Sequence, residues 1–280
     1  MKKPQWITVG AGVALVIVLY FFGRTVPDKK PVPSAQPGAA AAVLSIDTIL
    51  FHSKEALPVD QAQRITALEN SVVRGDVKDQ KLELYHHLAH FWRDTARVFE
   101  PYAWYEAESA RLENSEKSLT FAAHLFLDNL RGEENAALKR WKATQAKDLF
   151  ERSLKINPGN DSSTVGLGAC YIFGNIADNP MEGILKVRAV VDKDSTNLYA
   201  QSVLGYGSMI SGQTDRAISR FQTIARIKPD DLEATMILAD LYERKADKAS
   251  AISWYSKAVP LIKAADLKKE VEKRIEELKK

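Results

Sequence analysis

The chain has almost no cysteine and no dominant charge. Cys170 is the only cysteine in 280 residues, so a disulfide within the chain is excluded. Its neighbours are apolar, which is typical of a small buried side chain rather than a reactive thiol. The net charge is +3, and Lys and Arg are interleaved with Asp and Glu, so no nucleic-acid surface is predicted.

The sequence also lacks the local motifs of common enzyme classes. It contains no glycine-rich phosphate loop ending in Gly-Lys, no Gly-x-Ser-x-Gly, no His-Glu-x-x-His and no paired Cys-x-x-Cys. Its composition, 45% hydrophobic and 27% charged, is nevertheless that of a folded protein. We therefore expect a protein that is not an enzyme and that needs no cofactor.

A long apolar run occurs near the start of the sequence. Residues 6–23 carry no charge, and a run of this length is near the minimum for a helix that crosses ~30 Å of hydrocarbon. A short basic tail, residues 1–5, comes before it. Because no small-x-small cleavage site follows Phe22, the run favours an uncleaved transmembrane helix over a cleaved signal peptide.

The residues around this run predict a spacer and a location. Residues 24–43 are rich in proline and alanine, which is typical of a linker rather than a folded element. Basic residues flank the run on both sides, so the positive-inside rule gives only a weak preference of orientation. With the short tail in the cytoplasm, the expected location is the cell inner membrane, single-pass, with the bulk of the chain on the periplasmic side.

From residue 44 onward, apolar residues recur at helical spacing, and the helices repeat. Gly205 and Ala239 are 34 residues apart, and so are Ala217 and Ala251. Small residues at these positions let the two helices of a pair approach closely, while large residues one turn away fill the surrounding space. Small residues further back, as far as Ala89, extend the same frame.

This pattern resembles the tetratricopeptide-repeat (TPR) family, whose repeat is a helical hairpin. The resemblance implies an all-α, TPR-type helical-hairpin solenoid, preceded here by the transmembrane helix. Residues 44–81 are predicted to form a divergent helical pair, 82–265 five repeats and 266–280 a capping helix. The frame departs from the family twice, because the connection in the second repeat is about eleven residues too long and the helix near 101–111 fits poorly. The layout is similar to that of single-pass TPR proteins of bacterial envelopes.

In the TPR family, the first helices of the repeats line a concave protein-binding groove. The matching positions here give a largely apolar and aromatic wall, made of Val165, Ile172, Phe173, Tyr199, Tyr206, Met209 and Ile210. Such a wall is costly to leave in water, so we expect it to bind an amphipathic helix or an extended peptide. Equally, the chain's own N-terminal helices would cover it if they folded back.

The resemblance implies a membrane-anchored scaffold or adaptor that binds a protein partner of unknown identity. A periplasmic, chaperone-like holder of unfolded clients is the alternative among binding proteins. The membrane is contacted through the N-terminal helix, and no nucleic acid is expected.

A histidine cluster supplies a different alternative, a metal-binding protein. His86, His90 and Asp94 follow each other at spacings of four, and His124 and Asp128 occupy the same positions in the next repeat. Imidazoles four residues apart on a helix can share a metal ion, with a further ligand from the neighbouring helix. A polar groove wall without an ion explains the same residues, so no metal is predicted.

Overall fold

Every regular element in the described chain is helical. The structure, a computed structural model, describes residues 44–74, 77–176 and 180–280. Its α-helices are α1 (Ile46–Glu55), α2 (Val59–Arg74), α3 (Lys78–His90), α4 (Phe99–Glu113), α5 (Glu116–Asp128), α6 (Ala136–Ile156), α7 (Asp161–Phe173), α8 (Met181–Lys193), α9 (Leu198–Ile210), α10 (Thr214–Ile227), α11 (Leu232–Arg244), α12 (Lys248–Ala258) and α13 (Ala265–Leu278). A π-helical turn (Phe91–Ala96) follows α3 and a 3₁₀ turn (Val259–Leu261) follows α12. The predicted all-α class is confirmed.

The predictions for the N-terminus concern residues that the structure does not describe. These are the tail 1–5, the membrane helix 6–23 and the spacer 24–43. Within the described part of the chain, no helix is both long and apolar enough to cross a membrane. The transmembrane helix therefore stays a prediction.

The helices from α3 to α12 pack as five consecutive hairpins. The pairs are α3–α4, α5–α6, α7–α8, α9–α10 and α11–α12. The first helices of neighbouring hairpins also meet, since α7 contacts both α5 and α9. The first helices α5, α7 and α9 thus form one row, whose common surface is called the inner face below. This arrangement is a TPR-type solenoid, as the spacing of small residues predicts.

Two glycines bring the helices of the third hairpin into backbone contact. A Cβ atom added to Gly183 on α8 would lie 2.4 Å from the carbonyl oxygen of Gly168 on α7, and 2.8 Å from Cβ of Tyr171. A carbonyl oxygen of a packed helix moves only if the helix moves. The close approach of α7 and α8 therefore requires glycine at both positions.

We expect Gly183→Ala to destabilise the protein. The added methyl group overpacks the α7–α8 contact, which typically costs roughly 1–3 kcal/mol. Gly132→Ala is the matched control, because a Cβ at Gly132 meets nothing within 4 Å, and its effect should stay within about 0.5 kcal/mol. Chemical denaturation of both variants measures the difference, and equal stabilities would contradict the close approach.

The two departures from the repeat frame have simple structural causes. The extra residues of the second repeat mostly lengthen α6, which has 21 residues, so the loop 129–135 is short. The poorly matching helix of the first repeat is a full helix, α4, with Pro101 in its first turn. Proline is tolerated there because a first-turn N–H has no partner within the helix.

A buried lysine fixes the loop 129–135. Lys142 on α6 is 4% exposed, and its Nζ lies 2.8 Å from Glu133 of the loop and 2.9 Å from Glu100 of α4. Burial lowers the pKa of Lys142, but the bonds from Glu133 and Glu100 outweigh it and raise that pKa overall. Asn135 then caps α6 by accepting from two backbone N–H groups.

Additional helices cover both ends of the solenoid. At the N-terminal end, α1 packs on α4 and α2 packs on α3. At the other end, α13 buries Val271 and Ile275 against the last hairpin. Arg274 of α13 pairs with Glu243 of α11, and this pairing lowers the pKa of Glu243. The polar outer surface of α13 gives the last core a solvated cover.

Candidate protein-binding face

The seven predicted groove residues lie on α7 and α9, but they differ in accessibility. Val165 is 0% exposed and belongs to the hydrophobic core, so it is not part of a binding wall. The reason is that Val165 lies in the buried cluster that α7 shares with α5 and α9. Ile210 is 71% exposed. The other five, Ile172, Phe173, Tyr199, Tyr206 and Met209, are half-buried.

The three aromatic residues among these five, Phe173, Tyr199 and Tyr206, line one cavity of about 210 Å³ on the inner face. This cavity is called the inner pocket below. It is lined by Leu127, Asp128, Arg131, Ala169, Phe173, Tyr199, Ser202, Val203 and Tyr206. The volume is below the ~300–1,000 Å³ of small-molecule sites and suits one large side chain.

Arg131 gives the inner pocket a positive charge that sequence patterns did not reveal. Its guanidinium carbon lies 4.2 Å from the centre of the Tyr206 ring, and its Nη2 lies 4.0 Å from Glu233 at the start of α11. The Tyr206 hydroxyl donates a hydrogen bond to Glu233. Burial and this bond raise the pKa of Tyr206 to about 12. No helical periodicity marks Arg131, because it lies in the loop 129–135.

Tyr199 brings an unsatisfied polar atom to the same pocket. Its hydroxyl is buried and has no hydrogen-bond partner among the described residues. Burial, with the nearby Cys170 and Asp128, raises the pKa of Tyr199, so the hydroxyl stays protonated and can donate. A buried hydroxyl without a partner costs free energy, which a ligand carbonyl oxygen would recover.

A second, more open concavity of about 620 Å³ lies beside the first. It is bounded by α5 and includes Phe121, which is 55% exposed. His124 lines the second concavity and lies against Tyr199 of the inner pocket. Its ring centre is 5.5 Å from that of Tyr199, and its Nε2 is 3.1 Å from the Ser162 hydroxyl. The inner face therefore offers two neighbouring recesses rather than one smooth groove.

His124 should make stability depend on pH. Burial lowers its pKa below the ordinary value, and Asp128 opposes this only in part. The unfolded chain therefore binds the proton first, below pH about 6.5. Stability should fall as the pH drops through that value, and His124→Gln should reduce the slope. Denaturation midpoints of both proteins at pH 7.5 and 5.5 measure this slope. An equal loss of stability in the wild type and in His124→Gln would contradict the burial of a neutral imidazole.

The histidine candidates do not form a metal-binding group. No set of three or more His, Cys, Asp or Glu side chains in the described ranges is arranged to hold an ion. His90 Nδ1 lies 3.2 Å from Asp94 and 2.7 Å from Nη2 of Arg93. Arg93 already neutralises Asp94 and lowers its pKa to about 2. His86 is instead 3.3 Å from the Ser109 hydroxyl of α4.

Asp128 lines the inner pocket and His124 lies at its border, so both are apart from His90 and Asp94. The metal alternative therefore finds no support in the described geometry.

The N-terminal helices leave the inner pocket uncovered. All the residues that line it fall between 127 and 206. The α1 and α2 helices instead pack against α4 and α3. Partial filling of the groove comes from His124 and Arg131, which reach over α7 from α5 and its following loop.

Comparisons with known proteins found similar folds and no close relative. No protein-family model matches the chain, and no curated protein sequence matches it. A MamA fragment from Desulfovibrio magneticus RS-1 is 22% identical, with a TM-score of 0.45 over 67% of this chain and 96% of that one. YrrB, described as a TPR protein with an unusual peptide-binding site, is 16% identical, with a TM-score of 0.42 over 74% and 98%. At such identities no function is transferred.

Proposed function

We propose that this protein is a non-catalytic scaffold that binds a protein partner through the inner face of its TPR-type solenoid. The observation that carries the proposal is the inner pocket, where Phe173, Tyr199 and Tyr206 present aromatic surface to a cavity. Aromatic side chains in concave, partly dry sites supply most of the binding energy in protein interfaces. The pocket accommodates one anchoring side chain of a partner.

The shape of the inner face favours an extended segment as the bound element. His124 lines the recess beside Phe121, and its ring lies 5.5 Å from that of Tyr199 in the inner pocket. Alternate side chains of an extended peptide point the same way along the strand, so two neighbouring recesses suit such a segment. The unpartnered Tyr199 hydroxyl would bind a backbone carbonyl of the same segment.

A photo-crosslinking side chain at Ile210 tests the proposal in cells. Ile210 is 71% exposed beside the pocket on α9, and Leu185 on α8 is 57% exposed on an outer helix. We expect a discrete crosslinked partner from position 210 and none from position 185. The same yield from both positions would contradict the inner face as the binding surface. Many weak adducts at position 210 would favour the client-holding alternative.

The membrane location is part of the proposal. The uncharged run 6–23 supports a single inner-membrane anchor, and the proline-rich residues 24–43 would hold the solenoid away from the bilayer. We expect protease added to spheroplasts to digest the solenoid. Protection until lysis would reverse the orientation, and release of the protein by alkaline carbonate would remove the anchor.

A further inference from the structure

Arg131 contacts parts of the solenoid that lie far along the chain from it. It follows α5, yet its guanidinium lies on the ring of Tyr206 in α9 and near Glu233 in α11. Its side chain is 50% exposed and forms part of the wall of the inner pocket. Among the residues of the inner pocket, Arg131 alone carries a positive charge.

The backbone that carries Arg131 is well anchored. The preceding Leu130 is 0% exposed, and Glu133 is bonded to the buried Lys142. The side chain, by contrast, is half exposed and is held by the ring and hydroxyl of Tyr206 and by the carboxylate of Glu233. Exposed ion pairs of this kind are worth about 0–1 kcal/mol, so Arg131 can be displaced from the pocket without moving the loop.

The groups around this guanidinium are aromatic and acidic. Tyr206 offers a ring face, and Phe173 and Tyr199 enclose the cavity beside it. Asp128 lines the cavity, and Glu233 accepts the hydrogen bond of the Tyr206 hydroxyl and lies 4.0 Å from Arg131. Aromatic faces next to carboxylates bind cations through the ring quadrupole and through charge.

We propose that the inner pocket is an arginine-binding site, that Arg131 is its internal occupant, and that the partner inserts an arginine side chain in its place. This rests on the proposed protein-binding function and names the chemistry of the partner. Arginine fits better than lysine because its planar guanidinium stacks on a ring while its N–H groups reach a carboxylate. An acidic side chain would meet Asp128 and Glu233 with the same sign of charge.

Binding of short peptides to the purified full-length chain tests this directly. The probe is acetyl-Gly-Leu-Arg-Leu-Gly-amide, and the comparison peptides carry citrulline or glutamate in place of arginine. Citrulline keeps the shape of the side chain and removes the charge. Titration calorimetry gives the affinities, and the NMR signals of the Tyr199 and Tyr206 rings report the site.

We expect only the arginine peptide to bind the inner pocket. Arg131→Ala should bind it about tenfold more tightly than the wild type, which is the factor that a competing cation–π contact imposes. Asp128→Asn should weaken it, and added salt should weaken it further. Arg140→Ala, on the exposed surface of α6, is the charge-matched control and should leave the affinity unchanged.

Four results would overturn the inference. Equal binding of the citrulline peptide would remove the role of charge, and weaker binding by Arg131→Ala would make Arg131 part of the binding surface rather than a competitor. Preferential binding of the glutamate peptide at the same tyrosines would make Arg131 a ligand for an anion, yet it would leave the inner face as a protein-binding surface. Absence of peptide binding, with a crosslinked partner at Ile210, would reject the arginine site alone.

Discussion

Lys142→Ala should cost more stability than any other single substitution considered for this chain. The variant leaves Glu100 and Glu133, whose side chains are 20% and 14% exposed, without their shared cation. Breaking a buried ion pair by removing one partner typically costs roughly 3–5 kcal/mol, because the remaining charge is buried and unpaired. Denaturant unfolding monitored by circular dichroism measures the loss.

Lys147→Ala is the matched control on the same helix. Lys147 pairs with Glu151, and both side chains are partly exposed, at 32% and 41%. Such a pair is worth about 0–1 kcal/mol. A loss at position 142 no larger than at position 147 would show that the charge cluster does not hold the loop 129–135.

The sequence contains enough information to predict the hairpins of this fold. Small residues recur in register at Gly168, Gly205 and Ala239, and close helix packing tolerates little else at those positions. Their spacing therefore reports the packing directly. The partner of each small residue is less predictable, since Gly168 meets Gly183 whereas Gly205 lies against the ring of Phe221.

The binding face was only partly predictable. Phe173, Tyr199 and Tyr206 meet at the inner pocket because neighbouring first helices share one surface. Arg131 reaches Tyr206 of α9, and His124 of α5 lies beside Tyr199 of α9. Such contacts between hairpins that are not neighbours depend on the small rotations between successive repeats, which no local residue pattern records.

The second large effect is on binding of the partner. Phe173→Ala combined with Tyr206→Ala should abolish this binding. Both residues line the inner pocket, and a central anchor of an interface is typically worth about 2 kcal/mol or more. Two such losses would lower the affinity by about a thousandfold. Phe51→Ala is the control, because Phe51 is an aromatic residue of α1 that is 58% exposed and lies outside the pocket.

Tyr206 also packs edge-on against Phe221, with ring centres 5.3 Å apart, so the double variant will lose some stability. Ser202→Trp separates folding from binding. It leaves both aromatic residues in place and fills the cavity that Ser202 lines. It should therefore block the partner as well.

Recovery of the partner crosslinked at Ile210, compared among these variants, tests the central claim that the inner pocket is the binding site. Circular dichroism must first show that each variant is folded at the assay temperature. The wild type and Phe51→Ala should recover the partner, whereas the double variant and Ser202→Trp should recover none. Normal recovery by a folded double variant and by Ser202→Trp would contradict the claim.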